Sequence, residues 1–388
     1  LNALSELVEE TGGLIHMDQL PVGDPTLSAK EIVGNESQER MGIVIREEDI
    51  EHIRQIADRE RAPFYVVGET TGDHRFVFEQ TDGVKPIDLA MEDMFGKAPR
   101  TVMTDRTVEE TYEDVTYDQT QLDEYVERVL QLEAVACKDW LTNKVDRSVT
   151  GKIARQQCQG EIQLPLSDCG VVALDYRGRA GIATSIGHAP QAALVDPAAG
   201  SVLSIAEALT NIVWAPLSEG LDSVSLSANW MWPCKNEGED ARLYRAVEAC
   251  SDFACSLRIN IPTGKDSLSM TQKYGKDKVY SPGTVIISAG AEVSDIRKVV
   301  SPVLRTGVNS TIYYIDFSFD KLKLGGSAFA QSLDKIGKEV PTVQDSEYFA
   351  NAFNAVQELI NKELILAGHD ISAGGMITTM LEMNFANT

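Results

Sequence analysis

A chain of 388 residues with 43% hydrophobic and 24% charged side chains is long enough for two domains, each burying its own core. The formal net charge of −24 argues against a nucleic-acid partner, so any bound polyphosphate has to be held by a divalent cation, backbone N–H groups and a few local cations. No run approaches the roughly 20 apolar residues of a membrane helix, and the opening LNALSELVEE lacks the basic flank and apolar core of a signal peptide, so a cytoplasmic protein without a membrane partner is expected.

The chain starts without Met inside a helix-like run, which leads us to expect a piece of a longer polypeptide. LNALSELVEE reads as a helix closed by Gly12 and Gly13, and SAKEIVG as a short second helix. A strand over 41–45, a helix over 47–60 and strands over 63–67 and 75–79 follow, an alternation of ferredoxin-like α+β type. Residues 96–119 turn polar and aperiodic, as a connection would. A helix over 121–132 leads into a DRSVTG turn at 146–151. Cys137, Cys158, Cys169, Cys234, Cys250 and Cys255 form no CxxC pair, which predicts reduced, mostly buried, structural thiols and not a zinc site.

Between Leu164 and Asn211 two carboxylates flank a Gly-rich stretch. The apolar run 169–174 fits a buried strand with Asp168 at its start. From Ala198 onward Val202, Ile205, Leu209, Ile212 and Val213 form one helical stripe, placing Glu207 and Asn211 one turn apart on another side. That pair is either a solvated helix face or, with Asp168, an oxygen set for a hard cation such as magnesium, completed by phosphate oxygens.

Downstream, 222–232 alternates like a strand and ends in Trp230 and Trp232, either a base-stacking platform or core. GEDARLYRAVEACSDFACSL reads as a helix, and RINIPTGKDSLSM as a strand running into a loop. GKDS is not a phosphate loop, because Ile259 stands where the first Gly belongs and Asp266 follows Lys265; these two either approach a nucleotide or form a surface ion pair. Strands are expected over 280–293 and 311–317, and helices in LKLGGSAFAQSLDKIG, FANAFNAVQELINKELILAG and GGMITTMLEMNFA. Between the last two, HDISAGG offers Asp370 as a fourth oxygen ligand and Ser372 as a phosphate partner ahead of a helix.

The runs SDCGVVALDY, SIGHAPQAALVDPAAGSVLSIAEALTN, LSANWMWP, GEDARLY, IPTGKDSLSM and GHDISAGG, in this order, resemble the phosphoribosylformylglycinamidine synthases. The resemblance covers essentially the whole chain. It implies a mixed α+β and α/β fold of tandem synthetase modules related to aminoimidazole ribonucleotide synthetase, each with a β-rich pairing half and a ferredoxin-like half. Residues 1–97 would be the C-terminal half of a first module, 98–119 a linker, 120–306 the nucleotide-binding N-terminal half of a second module, and 307–388 the start of its C-terminal half. A weak likeness of GGMITTMLEMNFANT to LNALSELVEETGG agrees with such a repeat.

The family's reaction converts formylglycinamide ribonucleotide, ATP and glutamine to formylglycinamidine ribonucleotide, ADP, phosphate and glutamate, with ammonia supplied by a glutaminase domain. The resemblance assigns magnesium to Asp168, Glu207, Asn211 and Asp370, an auxiliary ATP or ADP to the vicinity of Ser167 and Ser372, and ribonucleotide substrate contacts to Glu36, Ser37 and Gln38, which otherwise read as a charged loop. It assigns no catalytic residue here, so the chain alone is expected to be inactive. The alternatives are a non-catalytic nucleotide-binding or dimerisation scaffold and a selenophosphate-synthetase-like ATP enzyme.

Overall fold

The computed structural model describes residues 2–36, 39–97, 100–142 and 151–386, which divide into two compact units, 1–102 and 103–388. The first contains α1 (Asn2–Leu7), β1 (Gly13–His16), α2 (Ala29–Gly34), α3 (Ile50–Glu60), β2 (Gly68–Thr70), β3 (Arg75–Glu79), β4 (Ile87–Ala90) and α4 (Met91–Phe95). Its sheet runs β2-β1-β3-β4, with β1 and β3 parallel and the other pairs antiparallel. Phe76 and Phe78 of β3 are buried with Val8, Ile15, Met17 and Met91, which makes this a small core of its own. Ser28 and Glu31 cap α2 reciprocally, as SAKEIVG suggests.

The expected strands over 41–45 and 63–67 do not form. Val67 gives its carbonyl to the His16 N–H, but Met41 is 92% exposed and Tyr65 52%, and neither run joins the sheet. β-prone residues become a strand only when a ladder partner and a covered face are available. The sheet instead uses the short GLIH and IDLA segments, too brief to stand out by pattern.

In the second unit, α5 (Leu122–Leu130) and α6 (Asp139–Thr142) precede β5 (Ile153–Arg155), β6 (Cys158–Gln159), β7 (Leu164–Pro165), β8 (Gly170–Ala173) and β9 (Gly181–Gly187). Then come α7 (Pro190–Val195), α8 (Pro197–Ile212), β10 (Ser225–Met231), α9 (Glu239–Ser256), β11 (Asn260–Ser267), the hairpin β12 (Thr271–Tyr274) and β13 (Asp277–Tyr280), and β14 (Thr284–Val293). The six-stranded sheet is ordered β11-β10-β14-β9-β8-β5, with only β10 and β11 parallel. Ile205, Leu209 and Ile212 of α8 are fully buried in a core shared with Ala183, Leu226 and Ile287 of the strands and Phe253 of α9. Burial of each such side chain contributes about 1.5–3 kcal/mol, which outweighs the weak helix preference of β-branched Ile.

α10 (Ala328–Ser332), α11 (Ser346–Asn361) and α12 (Gly375–Phe385) complete the unit. Phe349, Phe353, Val356 and Ile360 of α11 enter the same core. Gln357 locks α11 down: its amide donates to the Val213 and Ala215 carbonyls at 2.6 and 3.0 Å and accepts from the Leu217 N–H at 2.8 Å. Three buried backbone groups thereby find partners.

Other expectations are corrected here. Residues 311–317 form no strand and Tyr313 is 79% exposed; GKDS lies inside β11, not in a loop. The polar stretch before α5 is pinned at Asp105, whose carboxylate accepts from the N–H groups of Gly238, Asp240 and Ala241 at the start of α9. Most of the DRSVTG turn lies outside the described residues.

Candidate magnesium-nucleotide site

Two glycines bring the acidic side chains together. Gly187 closes β9, and a Cβ there would stand 2.2 Å from the Ser204 carbonyl oxygen of α8. The strand end thus meets the helix edge that carries Glu207 and Asn211: the His188 N–H donates to Glu207 Oε2 at 3.0 Å, and Asn211 Nδ2 donates to the Ile186 carbonyl at 3.0 Å. Gly368 packs on Trp214, where a Cβ would lie 2.1 Å from the ring, and its N–H bonds the Ser301 carbonyl. That contact seats His369 and Asp370 beside Asp168, which precedes β8.

Asp168 Oδ1 lies 2.6 Å from His369 Nδ1, and His369 Nε2 lies 3.0 Å from Glu382 Oε2 of α12. Donor atoms of Asp168, His369 and Asp370 fall within 4.8 Å of one another. Asp370 is 8% exposed, and the Thr379 hydroxyl donates to its backbone carbonyl.

Burial, and then the negative charges of Asp168 and Glu207, push the Asp370 carboxyl well above the ordinary range. Burial also raises Asp168, opposed by its bond to His369, and raises Glu207, opposed by the His188 N–H. For His369 burial works downward, yet the Asp168 and Glu382 carboxylates outweigh it and lift the ring to about 10. The ring is thus held between two carboxylates, one at each nitrogen. Acidic side chains outnumber the one imidazole here, and oxygen donors held this closely suit a hard divalent cation.

Two protein-family models match parts of the chain. The model described as FGAR-AT PurM_N-like domain matches residues 137–292, and that of the AIR synthase related protein C-terminal domain matches residues 1–80. The phosphoribosylformylglycinamidine synthase of Dictyostelium discoideum is 37% identical over 99% of the chain and 29% of its own length; that of Homo sapiens is 38% identical over 99% and 30%. The chain is a relative of the phosphoribosylformylglycinamidine synthases. It spans about 30% of the length of these curated synthases. Thermotoga maritima PurL complexed with ADP shares the fold, with a TM-score of 0.56 at 18% identity over 78% of this chain and 46% of that one.

Within the synthase-like frame, Asp168 and Glu207 both act electrostatically on Asp370. Asn211 is held at the strand end that also holds Glu207. The Ser167 hydroxyl donates to the Gln156 carbonyl at 2.7 Å and its N–H to that of Gln157, so both of its protons are committed to the protein. Ser372 is exposed and gives its carbonyl to the Gly375 N–H at the start of α12. Glu36 is exposed in the first unit, while Ser37 and Gln38 lie outside the described residues.

Trp232 is 1% exposed and therefore core, not a base platform. Lys265 Nζ bonds Ser267 Oγ on the exposed β11, and no ion pair with Asp266 forms among the described residues. All six cysteines are free thiols, four of them buried. His369 was not singled out by sequence although HDISAGG contains it, and Glu382, thirteen residues on, carries no local signal.

Proposed function

We propose that the chain is part of an ATP-dependent synthase that converts formylglycinamide ribonucleotide to formylglycinamidine ribonucleotide with glutamine as nitrogen donor, a carbon–nitrogen ligase. The names of its relatives support this reading over a free-standing scaffold or a selenophosphate-type enzyme. Thermotoga maritima PurL structures in complex with ADP, ATP and FGAR are compatible with it. The second unit is the auxiliary nucleotide module: Asp168, Glu207, Asn211 and Asp370 hold magnesium, and Ser372, with Ser167 more remotely, faces the nucleotide. Glu36, Ser37 and Gln38 belong to the ribonucleotide side of the first module. The glutaminase domain, the cytoplasmic location and the module divisions near 97, 119 and 306 belong to the same proposal.

The observation that carries it is the close approach of the Asp168 and Asp370 side chains, with Glu207 near enough to help raise the Asp370 carboxyl. Bound magnesium supplies positive charge that neutralises the carboxylates and a polyphosphate together. The protein's own share is orientation: the His188 N–H and Ile186 carbonyl set the Glu207–Asn211 edge, and Trp214 and Ser301 seat the loop bearing Asp370. Calorimetric titration with magnesium and ADP should show binding to the wild-type chain that Asp168→Asn and Glu207→Gln each weaken by on the order of tenfold or more. Unchanged binding in both variants would remove the ligand assignment.

A further inference from the structure

The ring of His369 is bonded at both nitrogens to carboxylates, at 2.6 Å to Asp168 and at 3.0 Å to Glu382. The His369 and Asp168 side chains are 8% and 5% exposed, so water competes little for either bond. Its backbone neighbour Gly368 is clamped between Trp214 and the Ser301 carbonyl. The helix that presents Glu382 also presents Thr379, whose hydroxyl fixes the Asp370 carbonyl at 3.0 Å. One helix therefore steers two of the acidic groups, Asp370 through its backbone and Asp168 through an imidazole.

Proximity alone would make His369 a third ligand beside Asp168 and Asp370. Both ring nitrogens are already occupied by carboxylate oxygens at hydrogen-bond distance, and magnesium prefers oxygen. We propose that His369 and Glu382 are positioning residues for the cation site: Glu382 fixes the ring, and the ring holds Asp168 Oδ1 so that Oδ2 is the oxygen presented to the ion. This rests on the reading of the acidic cluster as a divalent-cation site. The partners of ligating groups govern metal affinity by about 10–100-fold when removed.

The test uses Mn2+ as the probe, with the full 388-residue chain labelled with 15N at histidine. Electron paramagnetic titration gives the affinity, and electron spin echo modulation reports whether a labelled nitrogen touches the ion. The wild type should bind Mn2+ with no histidine nitrogen coordinated. Glu382→Ala should bind about tenfold more weakly, and Glu382→Gln, whose amide oxygen still accepts from the ring, should recover most of the loss. His369→Asn should weaken binding at least as much as Glu382→Ala. A coordinated histidine nitrogen, wild-type affinity in Glu382→Ala, or equal losses in the Ala and Gln variants overturns the proposal while leaving the cation site standing. A wild-type chain that binds no Mn2+ overturns both.

Discussion

Asp320 and Asp370 lie in the same unit and are both nearly shut off from water, yet their acidities move in opposite directions. For Asp320 burial works upward, but the Lys323 ammonium at 2.8 Å and the N–H groups of Thr342 and Lys321 outweigh it and bring the carboxyl to about 2. Asp370 is driven upward by burial and then by its two carboxylate neighbours, Asp168 and Glu207. The protein's own counter-charge prevails at Asp320; at Asp370 the adjacent His369 is outweighed by burial, Asp168 and Glu207. Burial by itself does not mark a ligand-binding carboxylate; the sign of its neighbours does.

The strongest way to break this contrast is Asp370→Asn. It should lower magnesium-dependent ADP affinity on the order of 100-fold, since a charged oxygen is lost from the ion. It should also raise the melting temperature of the metal-free chain, because repulsion by Asp168 and Glu207 disappears. A fall in that melting temperature would show that Asp370 is an ordinary structural carboxylate.

Next in size is Gly368→Ala, which drives a methyl into the Trp214 ring and should cost about 2 kcal/mol in denaturant unfolding while also weakening nucleotide binding. Unaltered stability would mean that the loop carrying His369 and Asp370 is not held by that contact.

Asp320→Asn is the smaller control. The depressed folded acidity means that the carboxylate stabilises the fold above its ordinary value of 3.8, and that this stability is lost as pH falls toward about 2. Discounted for solvent screening, the variant should lose about 1 kcal/mol at neutral pH and nothing below pH 2, with no change in ADP affinity. A weakened affinity would erase the distinction between the two aspartates.

The sequence was legible where one face of an element is buried. The α8 stripe, β8 and α9 follow from periodicity, because each packs on a single continuous core. It was illegible where the outcome depends on a partner: 41–45, 63–67 and 311–317 have strand composition, but none forms a strand in a sheet, and of 63–67 only Val67 bonds β1, through its carbonyl. Asp168, Glu207 and Asp370 could be chosen from spacing together with family motifs. Glu382 could not, since only the packing of α12 against the HDISAGG loop brings it to His369. Likewise the short Gly187–His188 step, which looks like a turn, is legible as part of a site only once Glu207 is seen beneath its N–H.

The exposed run 311–315 has a practical consequence for the chain in solution. Ile312 is 60% exposed, Tyr313 79% and Tyr314 59%, in a segment with strand propensity that joins no sheet among the described residues, the kind of sticky edge through which polypeptides clump. A net charge of −24 keeps copies apart by repulsion, which salt screens over roughly 8 Å at physiological ionic strength. Light scattering should therefore report larger particles as sodium chloride is added, and Tyr313→Lys should blunt that growth without touching ADP affinity.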